Sequence, residues 1–218
     1  SDGDILQAAV LGGTVTGSLT SGPGTFTGNL VPGQQHINEI KVRNNGGISE
    51  IYVAAGDSFY SAANSATYLG GPNFGLFKSV DGGTTWTEVS LPLTSNGFKH
   101  CPMDIAIGSD NKIWVSTTNS IVYGDGGGKI FSSVDGVNFI DRHTVPDGRR
   151  TQIAASTTTA DKIYVLAELT TTAAVGLYRT LNGFSTTTTL ALPADADGGV
   201  GADFTRGQAF YDLMLEVD

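Results

Sequence analysis

The chain is short of several things, and each shortage narrows what it can be. Cys101 is the single cysteine, which excludes an internal disulfide and any Cys-pair metal site. A lone thiol of this kind reads as a small buried hydrophobe. Basic residues are scarce, 12 Lys and Arg against 21 Asp and Glu, for a net charge of −9. Nucleic-acid affinity comes largely from cations that neutralise phosphates, so no nucleic-acid partner is expected. No apolar run approaches the roughly 20 residues needed to cross a bilayer as a helix, so no membrane span is expected either. The sequence opens at Ser1 with no Met, no basic n-region and no apolar h-region. A processed or trimmed segment of a larger parent chain or complex is the expectation.

What is present points to strands. The 218 residues include 30 Gly and two Thr tracts, Thr157 to Thr159 and Thr186 to Thr189, with charged residues at only 15%. That composition suits many short β-strands joined by tight turns and leaves little material for amphipathic helices. The length can bury the core of one large all-β domain.

One stretch organises the rest: Ser79-Val80-Asp81-Gly82-Gly83-Thr84-Thr85-Trp86. Asp81 can accept hydrogen bonds from the amides that follow it, Gly83 supplies positive φ, and Trp86 packs beneath the turn as an anchor. Imperfect echoes recur, as repeated architectures require. Residues 128 to 139 keep Ser133, Asp135 and Gly136 and put Phe139 at the Trp86 position; residues 176 to 184 replace the aspartate by Asn182; residues 17 to 26 keep Ser21 and Phe26. The box and each echo are followed by an aliphatic-Pro pair, Val31-Pro32, Leu91-Pro92, Val145-Pro146 and Leu192-Pro193. Proline cannot continue a paired ladder, so these mark outer-strand ends. Ahead of the boxes lie apolar strand pairs: 37 to 43 with 51 to 56, 103 to 108 with 113 to 117, and 151 to 155 with 163 to 167. Strands buried on both faces read in this way.

The expected fold is therefore an all-β propeller with four-stranded antiparallel blades. Residues 33–92, 93–146 and 147–193 form blades; 1–32 end one blade, with a second strand at 4–11, and 194–218 begin the next, with an inner strand at 211–218. The ends either close on each other as a four-bladed ring or belong to separate blades. A portion of a larger propeller of roughly six to eight blades is favoured.

The box resembles the Asp-box, or BNR repeat, of sialidase-type β-propellers. Together with IYVAAGDS (51 to 58), GLFKSVDGGTTW (75 to 86) and GQAFYDLMLEVD (207 to 218), it resembles the large secreted Asp-box propeller proteins of Bacteroidetes, many exported by type IX secretion. The resemblance implies a secreted or cell-surface bacterial setting and no single chemistry. In such proteins the box is a folding device, so Ser79, Asp81, Gly83, Trp86, Ser133, Asp135, Phe139 and Asn182 are assigned to structure.

Two functional classes remain open. The first is a non-catalytic propeller module that binds a protein or glycan, or forms an architectural part of a large secreted protein. Its binding residues are expected on the inter-blade loops, at His36, Lys99, His100, Arg149, Arg150 and Arg206. These are basic on an acidic chain and suit an anionic ligand. The second is a glycoside hydrolase, sialidase- or xyloglucanase-like, with Glu39, Asp104 and Asp212 at the channel mouth and Gln152 at the equivalent fourth position. Paired carboxylates divide acid and base work when their pKa values are pushed apart. Equivalent polar residues in every blade also suit hydrogen bonds that hold the ring together. No cofactor is required. Asp195, Asp197 and Asp203 in a Gly-rich loop could supply Ca²⁺, which takes about six to eight oxygens, though the loop lacks a full motif. His143 reads as a partly exposed strand residue.

Overall fold

The structure, a computed structural model, describes residues 18–19, 26–27, 36–56, 74–170, 175–193, 204–205, 207–210 and 213–217. Among these there is no helix, as the composition predicts. Strands β1 (Ser18–Leu19) and β2 (Phe26–Thr27) form a two-stranded ribbon. Three four-stranded antiparallel sheets follow in chain order. The first holds β3 (His36–Asn45), β4 (Ile48–Gly56), β5 (Gly75–Ser79) and β6 (Thr87–Val89). The second holds β7 (Cys101–Ile107), β8 (Ile113–Thr118), β9 (Lys129–Ser133) and β10 (Ile140–Thr144). The third holds β11 (Gly148–Ala155), β12 (Ile163–Leu169), β13 (Val175–Thr180) and β14 (Thr188–Thr189).

Each sheet meanders from an inner to an outer strand, and the sheets pack face to face. Register decides which side chains face which neighbour. In the first sheet Lys41, Tyr52 and Lys78 are paired across β3, β4 and β5, and Ala54 pairs with Leu76. That face meets Ile105, Ile113, Val115, Phe131 and Phe139 of the second sheet in one continuous core. The opposite face of the second sheet, with Ala106, Trp114, Ile130 and Val145, packs on Ile153, Ile163 and Val165 of the third. The central strands need apolar residues on both faces for this reason, and β8, Ile-Trp-Val-Ser-Thr-Thr, is buried along nearly its whole length.

The far face of the third sheet is covered differently. Leu166 and Val175 pack with Ala209 and Leu213 from the C-terminal segment. Of the expected inner strand at 211 to 218, residues 213–217 are described, and they form no strand among the described residues. Leu213 packs by its side chain against Leu166 and Val175 of the third sheet. The expected second strand at 4 to 11 lies outside the described residues.

Candidate functional site

Two ends of the sheets differ in chemistry. At one end lie the hairpin turns, where Ser79 donates to Asp81 Oδ1 at 2.8 Å and its Oγ accepts from the Gly83 amide at 2.9 Å. Asp81 accepts from the Thr85 amide at 2.9 Å and hydroxyl at 2.6 Å, and Trp86 Nε1 donates to the Gly83 carbonyl at 3.1 Å. Hydrogen bonds from Thr85 and Ser79 hold the Asp81 carboxyl down at about 2. The turn at Ser133 and Asp135 repeats the pattern one residue shorter, with Asp135 Oδ1 accepting from the amides of Val137 and Asn138. These amides, with the Asn138 side chain, hold Asp135 below the usual carboxylate range. The third turn replaces the pair by Thr180 and Asn182. Asn182 Oδ1 accepts from the Thr186 amide at 2.9 Å, and the Thr180 hydroxyl takes the Phe184 amide at 2.9 Å. The Asp81, Asp135 and Asn182 oxygens are taken up by backbone amides and side chains of their own turns.

The inner strands bulge just ahead of the predicted channel residues. Register slips between Ile37 and Glu39 and between Pro102 and Asp104, and such bulges re-aim the side chains that follow. Glu39, Lys41, Asp104 and Gln152 line a cavity of about 480 Å³ shared with Met214 and Glu216 of the C-terminal segment. Asp104 is only 5% exposed. Its Oδ1 accepts from the Ile105 amide at 2.7 Å, and its Oδ2 from the Ile153 amide of the next sheet at 2.8 Å. Burial, reinforced by the charge of Glu39, lifts its pKa to about 7 against the pull of these two amides. Glu39 accepts from the Ile40 amide at 2.9 Å and pairs with Lys41 at 3.5 Å. Asn38 carries the corresponding stitch between the first and second sheets, donating to the Pro102 carbonyl at 2.9 Å. Asp212 lies outside the described residues.

At the loop end, among the described residues, Lys99, His100 and Arg149 each have a partner of their own. His36 begins β3, and its side chain lies outside the described residues, as do Arg206, Asp195, Asp197 and Asp203. His100 is buried, with Nδ1 at 2.8 Å from the Gly126 carbonyl. A carbonyl can only accept, so Nδ1 carries the hydrogen. Burial pushes the imidazole pKa down. Lys99 is ion-paired with Glu88. Arg149 Nη1 lies 3.5 Å from Glu168, whose other oxygen takes the Arg150 amide at 3.4 Å. Long cations on a sheet rim find the acids across the ladder, and their fields cancel locally. A second cavity of about 290 Å³ is lined by Glu88, Lys99 and His100 with Leu76 and Val89. Nearby, Phe98 stacks on Tyr123 with centroids 4.5 Å apart. Among the described residues no group of three His, Cys, Asp or Glu side chains could hold a metal ion. Cys101 is buried and outside any disulfide, and half-buried His143 stacks on Phe184 at 4.9 Å.

Sequence reasoning missed a buried ion cluster between the first two sheets. Arg43, 2% exposed, donates Nε to Glu50 Oε2 at 2.8 Å and Nη2 to the same oxygen at 2.5 Å. Its Nη1 reaches into the second sheet, to the carbonyls of Val134 at 2.8 Å and Asn111 at 3.2 Å. Tyr52, Asn45 and Lys78 complete the shell around Glu50. Burial pushes the Glu50 pKa up, but the hydrogen bonds from Lys78, Arg43, Asn45 and Tyr52 prevail and hold it at about 2. A Cβ at Gly136, which has φ +72°, would collide with the Tyr52 hydroxyl and the Arg43 guanidinium, so the second turn needs glycine there. The legible signal was small: Arg43 and Glu50 carry opposite charges equidistant from the Gly46-Gly47 turn.

No protein-family model and no curated protein sequence matches the chain. Solved structures do. The GH74 enzyme of Niastella koreensis is 17% identical, with a TM-score of 0.50 over 78% of this chain and 24% of that one. The GH74 xyloglucanase of Xanthomonas campestris is 19% identical, with a TM-score of 0.47 over 66% of this chain and 19% of that one. The intramolecular trans-sialidase of Ruminococcus gnavus is 16% identical, with a TM-score of 0.37 over 71% and 34%. The chain thus spans about a quarter or less of the length of the two GH74 proteins. At these identities the Niastella enzyme shows a shared fold: three antiparallel four-stranded sheets in a β-propeller-like all-β arrangement.

Proposed function

We infer that the chain is a non-catalytic Asp-box propeller portion of a larger bacterial protein, secreted or at the cell surface, that binds a glycan or protein on its loop end. The observation that carries this reading is the state of Asp104. Both of its oxygens are engaged by backbone amides, one of them across the seam to the third sheet. A carboxylate used in this way, with one backbone amide on each oxygen, holds two inner strands together. The local pairing of Lys99 and Arg149 favours a hydrogen-bonding ligand over a strongly anionic one. His100, Arg149 and Arg150, with His36 and Arg206, remain the proposed contacts, and Asp195, Asp197 and Asp203 remain a proposed Ca²⁺ loop, to be tested by melting with and without chelator.

The second reading, a glycoside hydrolase, rests on one observation: Asp104, raised to about 7, and Glu39 share the channel cavity. A carboxyl raised in this way beside a second carboxyl suits a general acid. Incubating the chain with neutral and acidic oligosaccharides, while following both reducing ends and retention on immobilised glycans, distinguishes the two. Retention without new reducing ends supports the binding reading. Hydrolysis lost in both Glu39→Gln and Asp104→Asn would establish the enzyme.

A further inference from the structure

The three sheets can be compared position by position, because the ladder registers align them. Ile40 pairs with Val53 and Val53 with Phe77 in the first sheet. Ile105, Val115 and Phe131 occupy the same rung in the second, and Ile153, Val165 and Tyr178 in the third. One rung away stand Val42 with Ile51, Ile107 with Ile113, and Ala155 with Ile163. In the second and third sheets this face receives the preceding sheet, and Ile105 and Ile153 are 0% and 3% exposed. In the first sheet Ile40 is 48% and Val42 59% exposed. The same residue types at the same rungs are built to be covered, yet here two of them face outward. Water against a branched apolar stripe of this kind is unfavourable in proportion to the area exposed.

We propose that residues 4–32 of this chain cover that face, as a preceding sheet seated on Ile40, Val42, Ile51, Val53 and Phe77. Connectivity supports this occupant. Between the second and third sheets the chain passes from Val145-Pro146 directly into β11 at Gly148. Val31-Pro32 stands in the same relation to β3 at His36, so the segment before it arrives beside the first sheet. Its β1 and β2 already pair antiparallel, Ser18 with Thr27 and Leu19 with Phe26, as β5 does with β6 and β9 with β10. Ile5-Leu6-Gln7-Ala8-Ala9 resembles Ile51-Tyr52-Val53-Ala54-Ala55 of β4 in sequence. A second copy stacked head to tail is disfavoured. It would have to present the far face of its third sheet, where Leu166 and Val175 are already packed with Ala209 and Leu213.

Substitution of Ile40 and Val42 by Glu, singly and together, tests this. Burial against residues 4–32 predicts a melting point lowered by about 5 °C or more in the double variant. It also predicts faster amide exchange within residues 4–32. Val137→Glu and Leu181→Glu, exposed apolar positions on the turns, should change neither. An unchanged melting point in Ile40→Glu/Val42→Glu would mean the face is bare and would sink the proposal. So would a concentration-dependent melting point with twice the monomer mass, which would identify a second copy as the occupant. If the double variant fails to fold, exchange on the unsubstituted protein decides. Protection of amides in residues 4–32 comparable to that in β7 supports the proposal, and free exchange there overturns it.

Discussion

The two seams between the described sheets share one geometry and use opposite chemistry. Between the first and second sheets, at the turn end, Arg43, Glu50, Tyr52 and Lys78 form a buried charged network whose main polar atoms all have partners. Between the second and third, the matching region is aromatic. Trp114, at the position of Tyr52, meets Phe184 edge-on at 5.7 Å, and Phe184 stacks on His143. Charge persists there only at the rim, where Lys112 lies 2.5 Å from Asp161 and 3.2 Å from Asp110, while the Trp114 indole N–H is buried without a hydrogen-bond partner. The lesson is that face-to-face packing fixes where a fastening must sit and leaves its chemistry free. The first seam is geometrically demanding, because an ion pair removed from water is stable only when every lone pair is matched. The second is tolerant, because an aromatic cluster is held by burial that needs no such matching.

The sharpest way to break this contrast is Glu50→Ala, which strands the Arg43 guanidinium. A loss of about 3 to 5 kcal/mol in urea unfolding is expected. The double variant Arg43→Met/Glu50→Leu should recover most of it; no recovery would show that the cluster contributes more than matched charge. Trp114→Ala in the second seam should cost about 3 to 5 kcal/mol through cavity formation, with no rescue by any change of charge.

Acid separates the seams next. Glu50 falls from an ordinary 4.5 when unfolded to about 2 in the fold. The stability this contributes is present above pH 4.5 and is lost as pH drops towards 2. That amounts to about 3 kcal/mol, and Glu50→Gln should flatten this part of the profile. Asp104 acts with the opposite sign. Its folded pKa, raised to about 7 from 3.8, makes the native state bind the extra proton, so its contribution declines as pH rises from about 4 to 7. Asp104→Asn should remove that decline, and a profile unchanged by the substitution would show that the carboxyl ionises normally.

The smallest effects belong to the rim and the turns. Lys112→Met should cost about 1 kcal/mol or less. Asn182→Asp, which restores the residue of the other two turns, should change stability by about 0.5 kcal/mol or less. A large effect from either would mean that the second seam depends on polar geometry after all.

How much of this was legible can be argued from particular residues. The strands of the three sheets were readable because Ile51 to Gly56, Ile113 to Thr117 and Ile163 to Ala167 are apolar on both parities, and only strands buried on both faces tolerate that. The turns were readable because Ser79, Asp81 and their counterparts act within a few residues of themselves. At the candidate site the sequence showed residue types and not their partners. His100 carries the residue type of a ligand contact, and the Gly126 carbonyl that fixes its ring comes from 26 residues away. Lys99 and Arg149 met Glu88 and Glu168, acids brought close by a neighbouring strand and invisible in local sequence. Asp104 was placed correctly on an inner strand, yet its partner, the Ile153 amide, lies 49 residues away.

By itself, then, the sequence determined what is local: the alternation of strands, the self-contained turns around Asp81, Asp135 and Asn182, and the proline-marked ends of the outer strands. Hydrogen bonds that close within four residues depend on nothing further along the chain. Tertiary structure alone decided which charges are buried, which are cancelled and which carboxylate ionises late. Those outcomes depend on desolvation and on partners from another sheet, and neither exists until the faces meet.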